Sequence, residues 1–234
     1  MISFVVPAHN EERLLGSTLD AIAEAVVGIE RPFEVLVVND ASTDGTRSVA
    51  SSRGVRIVDV DYRHIAATRN AGARASAGQV LFFVDADTRA THDAIVAALA
   101  ALEDGAVGGG GLFRFHDAVP WWAHWVQPIG DAVARSFNTC GGAFVFCRRT
   151  AFDASGGFPE ACFVAEDLGF VQALKRVGRF ELIRPRVSTS GRKLGKVSFW
   201  QSLRWVVQLA RYGPTSFSSR EGLDLWYGEQ ARDP

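Results

Sequence analysis

The sequence predicts an α/β fold with a doubly wound, mostly parallel central sheet. Three observations carry that prediction. Short apolar runs are continuous rather than alternating, stretches with helical periodicity separate them, and polar clusters close several of the runs. Strands covered by helices on both faces need no polar side, so this alternation is the pattern of a parallel sheet.

The elements follow in order. Ile2 to Val6 is an apolar strand ended by Pro7. From Glu12, apolar residues recur at Leu15, Leu19, Ile22 and Val26, one face of a helix opened by Asn10, Glu11 and Glu12. Phe33 to Val38 is the second strand, and Asn39 to Thr46 a polar turn capping a helix that runs toward Arg53. Val55 to Val60 is a strand, Ile65 to Ala77 a helix, Gln79 to Val84 the fourth strand and Thr91 to Leu102 a helix.

Beyond residue 104 the pattern loosens. Gly108 to Gly111 leads into a strand over Leu112 to Phe115, as a mobile or closely packed run. Pro120 to about Phe137 can form a helix whose Trp121, Trp122 and Trp125 suit a core, or the flat apolar face of a sugar or lipid acceptor. Gly141 to Phe146 reads as a strand and Arg148 to Ala154 as a helical turn. Glu166 to Val177 reads as a helix stopped by Gly178, and Phe180 to Ile183 as a strand before an Arg/Ser/Gly-rich loop; a last helix spans Ser198 to about Tyr212. No linker divides the chain, so one domain is expected over residues 1–234, with 1–104 as a nucleotide-binding half and 105–234 as an acceptor half.

The bulk properties exclude several classes. A net charge of -1 argues against a nucleic-acid binder, although Lys175 to Arg211 carries ten basic residues against one acid, Glu181. That stretch suits an anionic ligand or a peripheral membrane contact. The three cysteines, Cys140, Cys147 and Cys162, lack metal-ligand spacing, and Met1 runs into an apolar strand without a basic n-region, so no signal peptide is expected. A cytoplasmic protein is expected, with any membrane contact at the inner face.

Leu81 to Val84 runs directly into Asp85-Ala86-Asp87. Continued as extended chain, the stretch would point both carboxylates the same way, and a hard cation such as Mg²⁺ or Mn²⁺ would relieve their repulsion. In isolation such a triplet is more often a polar strand end. Its weight comes from Pro7-Ala8-His9 and Asp40, which also close strands, because ligands of doubly wound sheets bind outside the carboxyl ends of the strands.

Taken together, Val5 to Glu12, Val37 to Thr46, Arg69-Asn70-Ala71-Gly72, Phe83 to Asp87, Gly141-Gly142-Ala143 and Glu166-Asp167 resemble the family 2 glycosyltransferases, which have the Rossmann-like GT-A fold. The resemblance implies an inverting, metal-dependent transfer of sugar from a nucleotide-sugar donor, a UDP- or GDP-sugar, to an acceptor hydroxyl. By the same resemblance, Pro7, Ala8 and Glu11 line the nucleobase pocket, Asp40 binds base or ribose, and Arg69 lies over the nucleotide. Asp85 divides its contacts between ribose and metal, Asp87 holds the metal, and Asp167 is the catalytic base. Asp44 reads instead as a cap. The loop Ser188 to Lys193 suits phosphate oxygens, and Arg192 is assigned to the donor diphosphate on its charge.

Gln201-Ser202-Leu203-Arg204-Trp205 reproduces a motif of the processive, membrane-embedded synthases, although no run is long enough to cross a bilayer. The Trp-rich segment and the last helix suggest a lipid-linked acceptor. Two other functions are open to such a sheet. A sugar nucleotidyltransferase would carry a Gly-rich basic loop where His9 to Glu12 is acidic, and a silent nucleotide-sugar-binding domain has no need of Asp167.

Overall fold

A computed structural model describes residues 1–161, 165–192 and 194. The expected helix from Ser198, the Gln201–Trp205 motif, Cys162 and Lys193 lie outside the described residues.

In chain order the elements are β1 (Ile2–Ala8), α1 (Leu15–Ala25), β2 (Phe33–Asp40), α2 (Thr46–Ser52), β3 (Arg56–Val60), α3 (Ile65–Ala75), β4 (Val80–Val84), β5 (Thr88–Arg89) and α4 (His92–Glu103). There follow β6 (Gly108–Phe115), α5 (Ala123–Ser136), β7 (Phe144–Arg148), α6 (Arg149–Ser155), α7 (Glu166–Val177) and β8 (Phe180–Thr189). One sheet has the order β3-β2-β1-β4-β7-β6-β8-β5. The pairs β1–β2, β1–β4, β2–β3 and β6–β8 are parallel, whereas β7 runs antiparallel to both its neighbours and β5 is antiparallel to β8. The carboxyl ends of β1, β2, β3, β4, β6 and β8 therefore share one edge with the start of β7. That edge carries the site.

Alternation along the buried strands sends successive side chains to opposite layers. Phe4, Val6, Phe82, Phe144 and Phe146 face one layer with α1 and α4, and Val5, Leu81, Phe83 and Val145 face the other with α3, α6 and α7. Phe4 stacks on Phe82 at 5.0 Å, and Phe83 meets Phe158 edge-on at 4.8 Å.

The structure corrects several expectations. β1 continues through Pro7 to Ala8, because pairing to β4 stops at Val5 and a proline beyond it breaks no ladder bond on that side. The Arg184–Thr189 stretch is strand, since pairing with β6 satisfies its backbone despite its polar side chains. The glycine run is closely packed: a Cβ at Gly109 would lie 2.2 Å from the Glu181 carbonyl oxygen, and one at Gly110 2.1 Å from Cys140 Sγ. The tryptophans at 121 and 125 are not core, being 78% and 75% exposed.

Candidate active site

The edge is built from loops that fasten one another. The segment after β1 and the segment after β2 exchange hydrogen bonds. Thr43 N–H donates to Asn10 Oδ1 at 2.8 Å, Glu11 N–H to Thr46 Oγ1 at 2.7 Å and Gly45 N–H to Glu12 Oε2 at 2.7 Å. Asp44 accepts from Thr46 and Glu12, forming an Asx turn one residue ahead of the α2 N-cap, Gly45; against burial, these bonds hold its carboxyl below the usual range. Pro7, Ala8 and Glu11 are buried beside this clasp.

Asp40 does not present its carboxylate to a ligand in this structure. Oδ1 accepts from the N–H groups of Tyr62 and Arg63 at 2.7 and 2.8 Å, and Oδ2 from His64 N–H at 3.0 Å and the Thr68 hydroxyl at 2.7 Å. Its lone pairs are thus engaged in capping α3, which leaves little for a base or ribose.

Arg69 departs furthest from its expected place. It is 2% exposed, buried among carboxylates. Nη1 donates to Glu166 and Nη2 to Asp85, each at 2.6 Å. A Cβ at Gly142 would lie 2.6 Å from Arg69 Nη2, which explains that glycine. The rest of the Arg-Asn-Ala-Gly stretch is equally structural. Asn70 accepts from Phe158 N–H and donates to the Phe158 carbonyl and to Glu160, all at 2.9 Å, while a Cβ at Gly72 would meet Val5 at 2.3 Å.

Asp85 and Asp87 do not lie on extended chain. A turn closed by Thr88 N–H on the Asp85 carbonyl at 2.9 Å separates them. Asp85 is drawn to Arg69, whereas Asp87 accepts from the Thr189 hydroxyl at 3.2 Å and its carbonyl from Ser190 N–H at 3.1 Å. Thr18 fixes the turn from below by donating to the Ala86 carbonyl at 2.8 Å.

Asp167 opens α7. Its Oδ2 accepts from Gly142 N–H at 2.6 Å and its Oδ1 from Leu168 N–H at 2.7 Å. Its neighbour Glu166 is 7% exposed. Burial, reinforced by the charge of Asp167, pushes the Glu166 carboxyl up to about 7 against the pull of Arg69. Around Arg69, burial works against the charge, but Asp85, Glu166 and Asp167 outweigh it and raise the guanidinium further.

After β8 the chain crosses this edge. Asp117 accepts from Gly191 N–H at 2.6 Å and from the Ser190 hydroxyl at 2.5 Å, and Arg192 pairs with Glu11. Arg192 is thus held at the edge by a carboxylate. Asp117 and the Arg69–Glu166 pair were not foreseen. No local pattern marks them, since their partners lie 73 and 97 residues away.

For a divalent metal the donor set is carboxylate oxygen, the right chemistry for Mg²⁺ or Mn²⁺. Among the described residues no cluster of three His, Cys, Asp or Glu could hold one. Asp87 with Asp85 fits a metal that takes its remaining ligands from substrate phosphate and water.

The fold has relatives among solved structures. A mannosyltransferase from Pyrobaculum calidifontis, crystallised with GDP-Man and Mn²⁺, superposes with a TM-score of 0.66 at 21% identity, over 93% of this chain and 68% of that one. Glucosyl-3-phosphoglycerate synthase from Mycobacterium tuberculosis, with Mn²⁺ and uridine-diphosphate-glucose, gives 0.65 at 20% identity, over 91% and 79%. The fold is that of the GT-A glycosyltransferases. Residues 3–154 match the model of glycosyl transferase family 2, and the chain belongs to that family. Glu166-Asp167 lies beyond the matched stretch. Validoxylamine A glucosyltransferase from Streptomyces hygroscopicus subsp. jinggangensis is 36% identical over 108 residues, which cover 43% of this chain and only 25% of that enzyme.

Proposed function

We propose that this chain moves a sugar from a nucleoside diphosphate donor, a UDP- or GDP-sugar, to an acceptor hydroxyl, with inversion and with the aid of Mg²⁺ or Mn²⁺. Residues 1–104 bind the donor and the following half receives the acceptor. The observation that carries the reading is the buried Arg69, which joins a donor-side carboxylate, Asp85, to the pair Glu166-Asp167. The donors bound by the two structural relatives, GDP-Man and uridine-diphosphate-glucose, favour the same nucleotides.

A metal held by Asp87 and Asp85 would neutralise the charge that builds on the departing diphosphate. Asp167 takes the proton of the attacking hydroxyl. The N–H groups of Gly142 and Leu168 fix its orientation. Arg192 exchanges Glu11 for a donor phosphate oxygen.

Thermal shift with UDP-glucose and GDP-mannose, each with and without Mn²⁺, tests the reading. At about 100 times its dissociation constant a ligand adds about 2.7 kcal/mol, a rise of about 5 to 10 °C for a chain of this size. No metal-dependent shift with either nucleotide sugar would overturn it. Asp87→Ala should abolish the metal dependence. Asp167→Asn should still bind donor while transfer falls about 10² to 10⁴-fold; undiminished transfer would remove Asp167 as base. Arg192→Ala should weaken binding of the nucleoside diphosphate, and unchanged affinity would exclude Arg192 from the diphosphate site.

A further inference from the structure

Helix α5 is built inside out. A surface helix ordinarily turns its apolar stripe to the core. Here the inner stripe is small and polar: Ala123 is the helix's buried residue, and the other contacts are polar. Gln127 Nε2 donates to the Phe113 carbonyl at 2.8 Å, and Asp131 pairs with Arg186 at 2.6 Å. Beyond the helix end, Lys175 Nζ donates to the Phe137 carbonyl at 2.7 Å. The outer face carries Trp125, Ile129 and Val133, each four residues from the next, with Val126 beside them; Trp121 just before the helix and Phe137 just after it continue the same spacing, and all but Val126 are at least half exposed. Residues at that spacing form one continuous ridge, and an exposed apolar patch of this kind marks a contact surface.

We propose that this ridge embeds in the surface of an anionic lipid bilayer, with α5 lying in the plane of the membrane. The helix has 14 residues, about 21 Å of length, too short to span and right for lying flat. A ridge about 21 by 10 Å offers far less than the roughly 800 Å² per partner of a stable protein pair, which disfavours a second copy of the chain. The exposed charges support an anionic surface. Arg135 flanks the ridge and Lys175 sits at its end, while the one acid of the helix, Asp131, is turned inward and neutralised by Arg186. Tryptophan, apolar in its ring and polar at its N–H, suits the boundary between headgroup and acyl chain.

The position of the ridge adds a consequence that rests on the glycosyltransferase reading. Shortly after α5 the chain reaches Gly142, whose N–H holds Asp167. An acceptor hydroxyl on a membrane lipid would then meet the half of the chain that carries the base.

The test is co-sedimentation of the full chain with phosphatidylcholine vesicles and with equimolar phosphatidylcholine–phosphatidylglycerol vesicles. The parent should sediment with the anionic vesicles, less with the neutral ones, and less in high salt. The triple variant Trp121→Ser/Trp125→Ser/Ile129→Ser should lose at least about tenfold in partitioning. Its melting temperature and nucleotide-dependent thermal shift should be kept, so that loss of vesicle binding and failure of the donor-site reading remain distinguishable. The proposal is overturned if the parent stays in the supernatant with both vesicle types, if the variant sediments as well as the parent, or if the parent is a dimer that the variant dissociates.

Discussion

Helices α3 and α5 reverse what their sequences suggest. α3 contains Thr68, Arg69 and Asn70, yet everything from Ala66 to Ala73 is buried. α5 carries the most evident apolar stripe of the second half and buries Ala123 alone. Hydrophobic periodicity reports which face of a helix seeks apolar company, not whether the domain supplies it. A buried charge reports the converse: it is kept in a core only where partners compensate it. Asp85 and Glu166 do so for Arg69, and all three then act as one unit.

The comparison breaks most readily at α3. Arg69→Met would leave two carboxylates around an uncharged side chain, and stability should fall by about 3 to 5 kcal/mol, read from urea unfolding. Arg69→Lys keeps the charge but lacks the fork that reaches both acids, and should fall between Met and parent. A loss below about 1 kcal/mol for the methionine variant would show that the pair contributes little. Asn70→Ala strands the N–H and carbonyl of Phe158 and should cost about 2 to 3 kcal/mol. If that loop were satisfied otherwise, the midpoint would hardly move.

Glu166 gives a finer test. Its carboxyl sits at about 7 in the folded chain against an ordinary 4.5, so the folded state keeps the proton over a range where the unfolded chain has released it. The contribution to stability is therefore full below about pH 4.5 and is lost as the pH rises through about 7. The groups that face it are Arg69 from α3 and Asp167 from its own helix, and neither Glu166→Gln nor the pH change removes them. Stability of the parent should fall between pH 5 and 6.5 more steeply than that of Glu166→Gln, by up to about 1 kcal/mol per pH unit. Parallel profiles would mean that Arg69 keeps the carboxylate ionised throughout.

The same contrast explains what was legible in the sequence. The first hundred residues repeat a local unit, so strands, helices and the Asx turn at Asp44 could be read where they stand, although α1 begins only at Leu15 and without the cap expected from Asn10, Glu11 and Glu12. Asp85-Ala86-Asp87 was legible as an acidic strand end, but its geometry was not. The turn that splits the pair is fastened by Thr18, Arg69 and Thr189, from three other elements. Asp40 looked like a ligand residue because nothing near it in sequence shows the N–H groups of Tyr62, Arg63 and His64 that absorb it. β8 was read too short because its polar residues carry no strand signal; its order comes from β6, some seventy residues earlier.

The smallest expected effect lies on α5 and is the most discriminating. Trp125→Ser removes one of the largest side chains in the protein, and a core tryptophan so treated would cost about 3 to 5 kcal/mol. At 75% exposure, the indole has little packing to lose, so the urea midpoint should shift by less than the equivalent of about 0.5 kcal/mol. A core-sized loss would mean that the ridge is covered by the chain itself and that α5 is an ordinary amphipathic helix. A null effect on stability, set beside a deficit in vesicle binding, would separate two uses of apolar surface that a hydropathy pattern cannot distinguish: one that holds the domain together, and one that holds the domain against something else.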